Sequence, residues 1–320
     1  MNEEIVVDIH THYYPKSLTN KLIELNMLQI LGDKVILKWS NRKSLASLSL
    51  LDIESKLKEL NRLNVHIYSV ISIPNPWTYF MKKEEEVKIV RECNNELSYI
   101  TSKYPEHLGA FATLPLNDPE ASIEEAERAI KDLGLQGFVI GTGINGKIIA
   151  DDVYTELLKY LEKLGKPIFI HPGTLIVSDN EDVMSVIVSF PFETTYAILK
   201  LIQKGYKLKI IAPHGGGFIP YQLGRINLLK DVFALMNFRP QDIILDQVYF
   251  DTVLYREEEL NFLVSSVGLD RVLFGTDHPF SVSVPQLFLS LAKRFGKRSC
   301  QRTLLNYSAL KSLHNIITEL

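Results

Sequence analysis

Short runs of apolar, β-branched residues recur along the chain, separated by longer stretches in which apolar positions return every three or four residues. The short runs predict strands over Ile5–His10, Val65–Ser72, Leu108–Thr113, Gly137–Gly141, Pro167–His171, Leu208–His214, Val248–Asp251 and Arg271–Asp277. Continuous runs such as Ile168-Phe169-Ile170 suit parallel strands covered on both faces. Between them, Ile53, Leu57, Leu60 and Leu63 form a stripe over Asp52–Asn64, and Val87, Val90, Leu97 and Ile100 another over Glu84–Lys103. A further helix starts after the turn Asn117-Asp118-Pro119, and one over Asp152–Leu164 is closed by Gly165-Lys166-Pro167.

Strands alternating with helices predict a parallel sheet with right-handed crossovers. Closed on itself, this is a (β/α)8 TIM barrel, a single domain over residues 1–320. An open doubly wound sheet is the alternative, but no Gly-x-Gly-x-x-Gly follows the first strand to support it. Residues 13–50 and 172–191 read as inserts after strands one and five. Such loops belong to the catalytic face of a barrel, so both are candidate substrate covers. Gln301–Leu320 reads as a closing helix.

Composition narrows the function classes. The chain has 320 residues, 46% of them hydrophobic, with a formal net charge of −3. No basic excess points to nucleic acid or an anionic membrane as the main partner. Two cysteines far apart, Cys93 and Cys300, exclude a disulfide framework or a cysteine-type zinc site. An acidic start without a leader pattern, and no apolar run near the roughly 20 residues of a membrane span, predict a cytoplasmic protein.

The candidate chemistry lies in the histidines. Of eight, five fall at or just past the C-terminal end of a predicted strand: His10, His12, His171, His214 and His278. Those ends converge on one mouth of a barrel, where residues distant in sequence meet. In Asp8-Ile9-His10-Thr11-His12, side chains two apart share a face, so the pair reads either as two imidazoles that can reach one metal ion or as two polar residues at a strand end. His171 ends an apolar run as either a ligand or a hydrogen-bonded cap. Asp277, in Gly275-Thr276-Asp277-His278-Pro279, is placed beside strand one by closure, where it can ligate the ion, orient its water or accept a proton. His214 precedes Gly215-Gly216-Gly217, a run that permits a sharp turn and close approach to a ligand.

These segments, with Pro191-Phe192-Glu193-Thr194-Thr195, Gly224-Arg225-Ile226 and Gly268-Leu269-Asp270-Arg271-Val272-Leu273-Phe274-Gly275-Thr276-Asp277, resemble the amidohydrolase superfamily. The nearer resemblance is to its branch containing aminocarboxymuconate semialdehyde decarboxylase. It implies one divalent metal ion, usually Zn2+, held by His10, His12, His171 and Asp277. It also implies His214 as general acid or base, with Asp277 joining the catalysis. Arg225 is implied to bind a substrate carboxylate in the active site of a neighbouring subunit, and hence a homodimer. The chain departs from the decarboxylase at Ser47, where an own-chain arginine is usual (Arg42 is nearby but out of register), and in His171-Pro172-Gly173, where an aromatic is usual. His278 also replaces an aromatic and reads as a residue behind the ligands or lining the pocket.

Three functions fit. The first is non-oxidative decarboxylation of a small unsaturated or aromatic carboxylic acid. The second is hydrolysis of a lactone, ester or amide by the same metal hydroxide. The third is a barrel without chemistry that serves as a binding module.

Overall fold

Each of the eight apolar runs forms a strand, because each can bury both faces, one against the barrel interior and one against a helix. The computed structural model describes residues 5–39, 42–62, 66–173, 184–233, 235 and 237–280. The strands are β1 (Ile5–His12), β2 (His66–Ser72), β3 (Leu108–Thr113), β4 (Gly137–Gly141), β5 (Pro167–His171), β6 (Lys209–Ala212), β7 (Val248–Asp251) and β8 (Val272–Leu273). They lie in sequential order in one eight-stranded sheet, each pair parallel. Closure between β8 and β1 comes from the bridge Thr11–His278 and from main-chain bonds Ile9 N to Phe274 O (3.0 Å) and Asp277 N to His10 O (2.7 Å). The fold is therefore the (β/α)8 barrel that the hydrophobic pattern predicts.

Val7, Ile9, Tyr68, Val70, Phe111, Val139, Phe169, Ile211 and Leu273 fill the barrel axis, so it is a packed core and not a pore. The outer helices include α1 (Ile53–Asn61), α2 (Lys83–Lys103), α3 (Pro119–Lys131), α4 (Thr155–Leu164), α5 (Phe190–Gln203), α6 (Ile219–Ile226) and α7 (Glu257–Val267). Asp52 caps α1 by accepting from Ser55 N, and Asp118 caps α3 by accepting from Ala121 N. Gly165 ends α4 in the left-handed conformation, as the Gly-Lys-Pro sequence predicts.

Three strand ends differ from the sequence reading. β1 runs two residues further, to His12, while β6 stops at Ala212 and β8 at Leu273. His214 (φ 54°) and Asp277 (φ 58°) are therefore not strand residues; each sits in a left-handed turn beyond its strand. The turn aims the side chain inward where a continued strand would alternate past the mouth.

The insert after β1 folds as the helix Lys16–Glu24, an antiparallel sheet of Leu28–Leu31, Lys34–Trp39 and Arg42–Ser47, and a short 3-10 turn. Of the insert after β5, the π-helical turn Ser185–Ser189 leads into α5. Residues 174–183, the Arg42 side chain, Cys300 and the closing helix read over Gln301–Leu320 lie outside the described residues. One sequence expectation needs correcting: Ser185–Gln203 is a 19-residue helix apolar enough, by length and composition, to cross a membrane. Its buried residues include Glu193 as well as Ala197, Ile198 and Leu201, as in a helix that covers a barrel.

Candidate active site

β1 and β2 change register between Asp8 and Thr11. That irregularity turns His10 and His12 into the barrel mouth just above Ile9, and the His10 ring lies edge-on to Phe169 at 4.8 Å. β5 contributes His171, and the turn after β8 contributes Asp277. One ligand atom from each of His10, His12, His171 and Asp277 lies within 4.8 Å of all the others. The sequence reading gathers the same four residues.

Each imidazole is tied at Nδ1 and presents Nε2. His10 Nδ1 donates to Asp251 Oδ2 at 2.5 Å, His12 Nδ1 to Ser72 Oγ at 3.2 Å, and His171 Nδ1 to the Pro172 carbonyl at 3.0 Å. Ser72 Oγ spends its own proton on the Thr11 carbonyl, 3.3 Å away, which leaves it as the acceptor. Three acceptor atoms then face one another. His10 Nε2 and His12 Nε2 are 3.1 Å apart, and Asp277 Oδ1 is 3.3 Å from the first and 3.1 Å from the second. His171 Nε2 is buried with no hydrogen-bond partner. Nitrogens and a carboxylate oxygen that converge in this way need positive charge among them, either a proton on His10 or a bound cation, and three imidazole nitrogens with one carboxylate oxygen suit a divalent metal ion.

The electrostatics agree. Burial works against charge on His10, but Asp277 and Asp251 outweigh it and hold the ring up to about 10. Burial pushes His12 down to about 4, and burial with the neighbouring imidazoles pushes His171 well below its ordinary value. Burial alone would raise the Asp277 carboxyl; His10 and His12 instead keep it well below the usual carboxylate range. The cluster welcomes one positive charge and rejects more.

His214 stands beside the group, its ring centroid 5.3 Å from that of His10 and 5.6 Å from that of His171. Its Nδ1 is buried without a partner. Burial, then the His10 charge, lowers its pKa, so the ring is neutral near pH 7. Gly217, at φ 63°, lets the chain turn back toward α5; a Cβ there would lie 2.3 Å from the Pro191 carbonyl. Arg225 lies apart, exposed on α6, and its guanidinium forms no hydrogen bond or ion pair with the described residues. Within one subunit it lines no part of the buried cluster.

Several functional residues escape the sequence reading. Asp251, at the end of β7, holds His10 through Oδ2 and accepts Gly215 N (2.9 Å) and Val253 N (3.0 Å) through Oδ1. Lys56 of α1 is fully buried and donates to Thr11 Oγ1 (2.7 Å) and His278 Nδ1 (2.8 Å). His278 Nε2 reaches Glu59 Oε2 at 2.8 Å, and Ser47 and Ser49 hydrogen-bond the same carboxylate. His278 thus stands behind the ligands, as expected, in a network that pins the seam between β8 and β1. Burial pushes Lys56 down and Asp8 up, and each opposes part of the other's shift.

A parallel eight-stranded barrel with a histidine–aspartate group at its C-terminal mouth places that group where barrel enzymes carry their active sites. The profile described as amidohydrolase matches residues 7–295, and the chain belongs to that family. It is 30% identical over 329 residues to a 2-amino-3-carboxymuconate-6-semialdehyde decarboxylase of Dictyostelium discoideum, covering 96% of this chain and 91% of the relative. In structure it is similar to 5-carboxyvanillate decarboxylase from Sphingomonas paucimobilis, with TM-score 0.79, 15% identity, and coverage of 95% of this chain and 99% of the other. A dihydroxybenzoic acid decarboxylase from Polaromonas sp. JS666, solved with bound manganese and the inhibitor 2-nitroresorcinol, gives TM-score 0.71 at 21% identity, with coverage of 99% and 98%.

Proposed function

We propose that the protein is a metal-dependent decarboxylase of a small unsaturated or aromatic carboxylic acid. The observation that carries this is the complete acceptor cluster of His10, His12, His171 and Asp277 with His214, its nitrogen unpaired, alongside. The likeness to decarboxylases over nearly the whole chain supports it. When bound, a divalent ion polarises a substrate oxygen or lowers the pKa of a water. Three nitrogens and one oxygen fit Zn2+, and the manganese of the Polaromonas relative makes Mn2+ the competing ion.

In the reaction a C–C bond to the carboxylate breaks, a proton takes the place of CO2 on carbon, and one proton is consumed. His214 moves that proton: its Nδ1 is buried without a partner, and its ring lies 5.3 Å from that of His10 and 5.6 Å from that of His171. Asp251, Ser72 and the Pro172 carbonyl keep the three imidazoles in their acceptor tautomers. Phe280, 5.6 Å from His12, and Phe190, 5.9 Å from His214, exclude water. Asp277 lends its second oxygen to orient the reacting group.

We infer a homodimer in which Arg225 holds a substrate carboxylate of the neighbouring subunit. The support is its exposure on a stretch of chain whose large apolar side chains Phe218, Tyr221, Val232 and Phe233 are exposed as well. Sedimentation tests the dimer, and complementation between an inactive His214→Ala subunit and an Arg225→Ala subunit tests the shared site. A cytoplasmic location belongs to the same reading and is checked by fractionation.

The deciding experiment measures CO2 from a panel of hydroxybenzoates and muconate-type acids, with protein stripped of metal and reloaded with Zn2+ or Mn2+. Metal-dependent CO2 release is expected. Turnover confined to lactones, esters or amides replaces this reading with hydrolysis, and metal uptake with no turnover of either class makes the barrel a binding module.

A further inference from the structure

The loop after β2 carries a side chain that the reaction described so far does not use. Trp77 is completely buried and among the largest side chains the protein encloses. Its backbone is left-handed (φ 52°), fixed by the bond from Trp77 N to the Pro74 carbonyl (3.1 Å). The indole stacks on Tyr79 at 5.2 Å, and the Tyr79 hydroxyl accepts Gly141 N (3.0 Å) at the end of β4. Its other neighbour is the site itself, since the indole lies edge-on to His171 with centroids 5.8 Å apart.

Indole N–H only donates, and Trp77 Nε1 is buried without an acceptor among the described residues. Two other atoms in the same condition, His171 Nε2 and His214 Nδ1, belong to the rings next in line. The three unpartnered nitrogens sit on rings in successive contact, Trp77 to His171 at 5.8 Å and His171 to His214 at 5.6 Å. One awaits a cation and one a proton, which leaves the indole N–H awaiting an oxygen. A non-glycine residue held left-handed, with its ring clamped, is a side chain fixed before any ligand arrives.

We propose that Trp77 is a specificity-determining residue whose indole N–H hydrogen-bonds a carboxylate oxygen of the substrate. The inference rests on the reading that the site takes a small carboxylic acid, and it deepens that reading. A site with a preset buried donor favours acids that reach it and discriminates against analogues without the oxygen, because the donor is then left unpaired.

The test uses zinc-loaded full-length protein and benzoate as the probe. The chain has two tryptophans, Trp39 and Trp77, so indole N–H resonances of isotope-labelled protein are assigned with one variant, Trp39→Phe. Benzoate is expected to bind only when zinc is present and to move the Trp77 N–H resonance downfield, saturating along the calorimetric isotherm. Trp77→Phe is expected to weaken benzoate binding by about tenfold, the loss of one hydrogen bond to a charged group, and to raise KM for a turned-over acid more than it lowers kcat. Zinc-dependent binding with an unmoved Trp77 resonance overturns the proposal, as does the lack of saturable binding at tens of millimolar. The wild-type spectrum decides even if Trp77→Phe folds poorly. An acid panel that yields no CO2, with the indole shift intact, sinks the decarboxylase reading and leaves the Trp77 contact standing.

Discussion

Asp251 Oδ2 lies 2.5 Å from His10 Nδ1, and the other oxygen of the same carboxylate accepts Gly215 N at 2.9 Å, so one side chain positions a metal-group imidazole and the turn that carries His214. Asp251→Asn keeps size and shape but puts an amide N–H against His10 Nδ1. The ring must then accept there and carry its proton on Nε2, which removes a ligand lone pair. Metal affinity is expected to fall at least 10- to 100-fold, measured by competition with a chromophoric chelator. Affinity within twofold of wild type would show that the tautomer of His10 does not matter.

His214→Ala and His10→Ala separate chemistry from metal binding. The first is expected to lower kcat by about 10² to 10⁴ with metal content near one per chain, because in the proposed reaction His214 moves a proton and holds no ion. The second is expected to lose the ion while keeping the far-ultraviolet dichroism of the barrel, since the axial core of Ile9, Phe169 and their neighbours does not depend on it. Metal loss in His214→Ala would make that residue a ligand.

At Gly275 the turn after β8 lies close against both β1 and β7. A Cβ built there lies 2.8 Å from His10 Cβ and 3.2 Å from Asp251 Cβ, both too near their backbones to swing away. Gly275→Ala is expected to displace His10, costing roughly 1–3 kcal/mol of stability from overpacking and about tenfold in metal affinity. Denaturant melts of metal-free protein and metal titrations read the two effects apart. A variant unchanged in both would mean the seam yields freely.

Glu86 gives a pH dependence remote from the site. Burial pushes its carboxyl up to about 7, against partial relief from the hydrogen bonds of Asn117 N (3.1 Å) and Thr78 Oγ1 (3.1 Å). The folded state thus binds a proton that the unfolded chain releases near 4.5. Its contribution is complete below that value and is lost as pH rises through about 7, a change of roughly 3 kcal/mol. Glu86→Gln can offer its carbonyl to Asn117 and its amide to Thr78. It is expected to flatten the decline in urea midpoint between pH 5 and 8, and parallel declines in both proteins would refute the assignment.

The strands and the metal group were legible because their signals are local: alternation puts His10 and His12 on one face, and an imidazole at the end of an apolar run is conspicuous. Asp251 carried a comparable signal, a carboxylate closing Val248-Tyr249-Phe250, but an aspartate before a turn also reads as a cap. Lys56 lay on the apolar stripe of α1, three residues after Ile53 and four before Leu60, where a buried lysine needs partners that no local pattern reveals. Its partners Thr11 and His278 come from opposite ends of the described chain. Trp77 lies in a loop without periodicity, and only the three-dimensional structure shows that its N–H is enclosed. The left-handed turns at His214 and Asp277 were hidden for a related reason: non-glycine residues adopt them only when the surrounding fold compels it.

The cluster draws two imidazoles from the first strand of the barrel and its carboxylate from just beyond the last, 3.1 Å from His12. A nascent polypeptide leaving the ribosome carries His10 and His12 long before Asp277 exists, so a chain that stops short of the turn after β8 cannot bring the four side chains together. Any ion that needs all four groups is consequently bound only after the ring has shut.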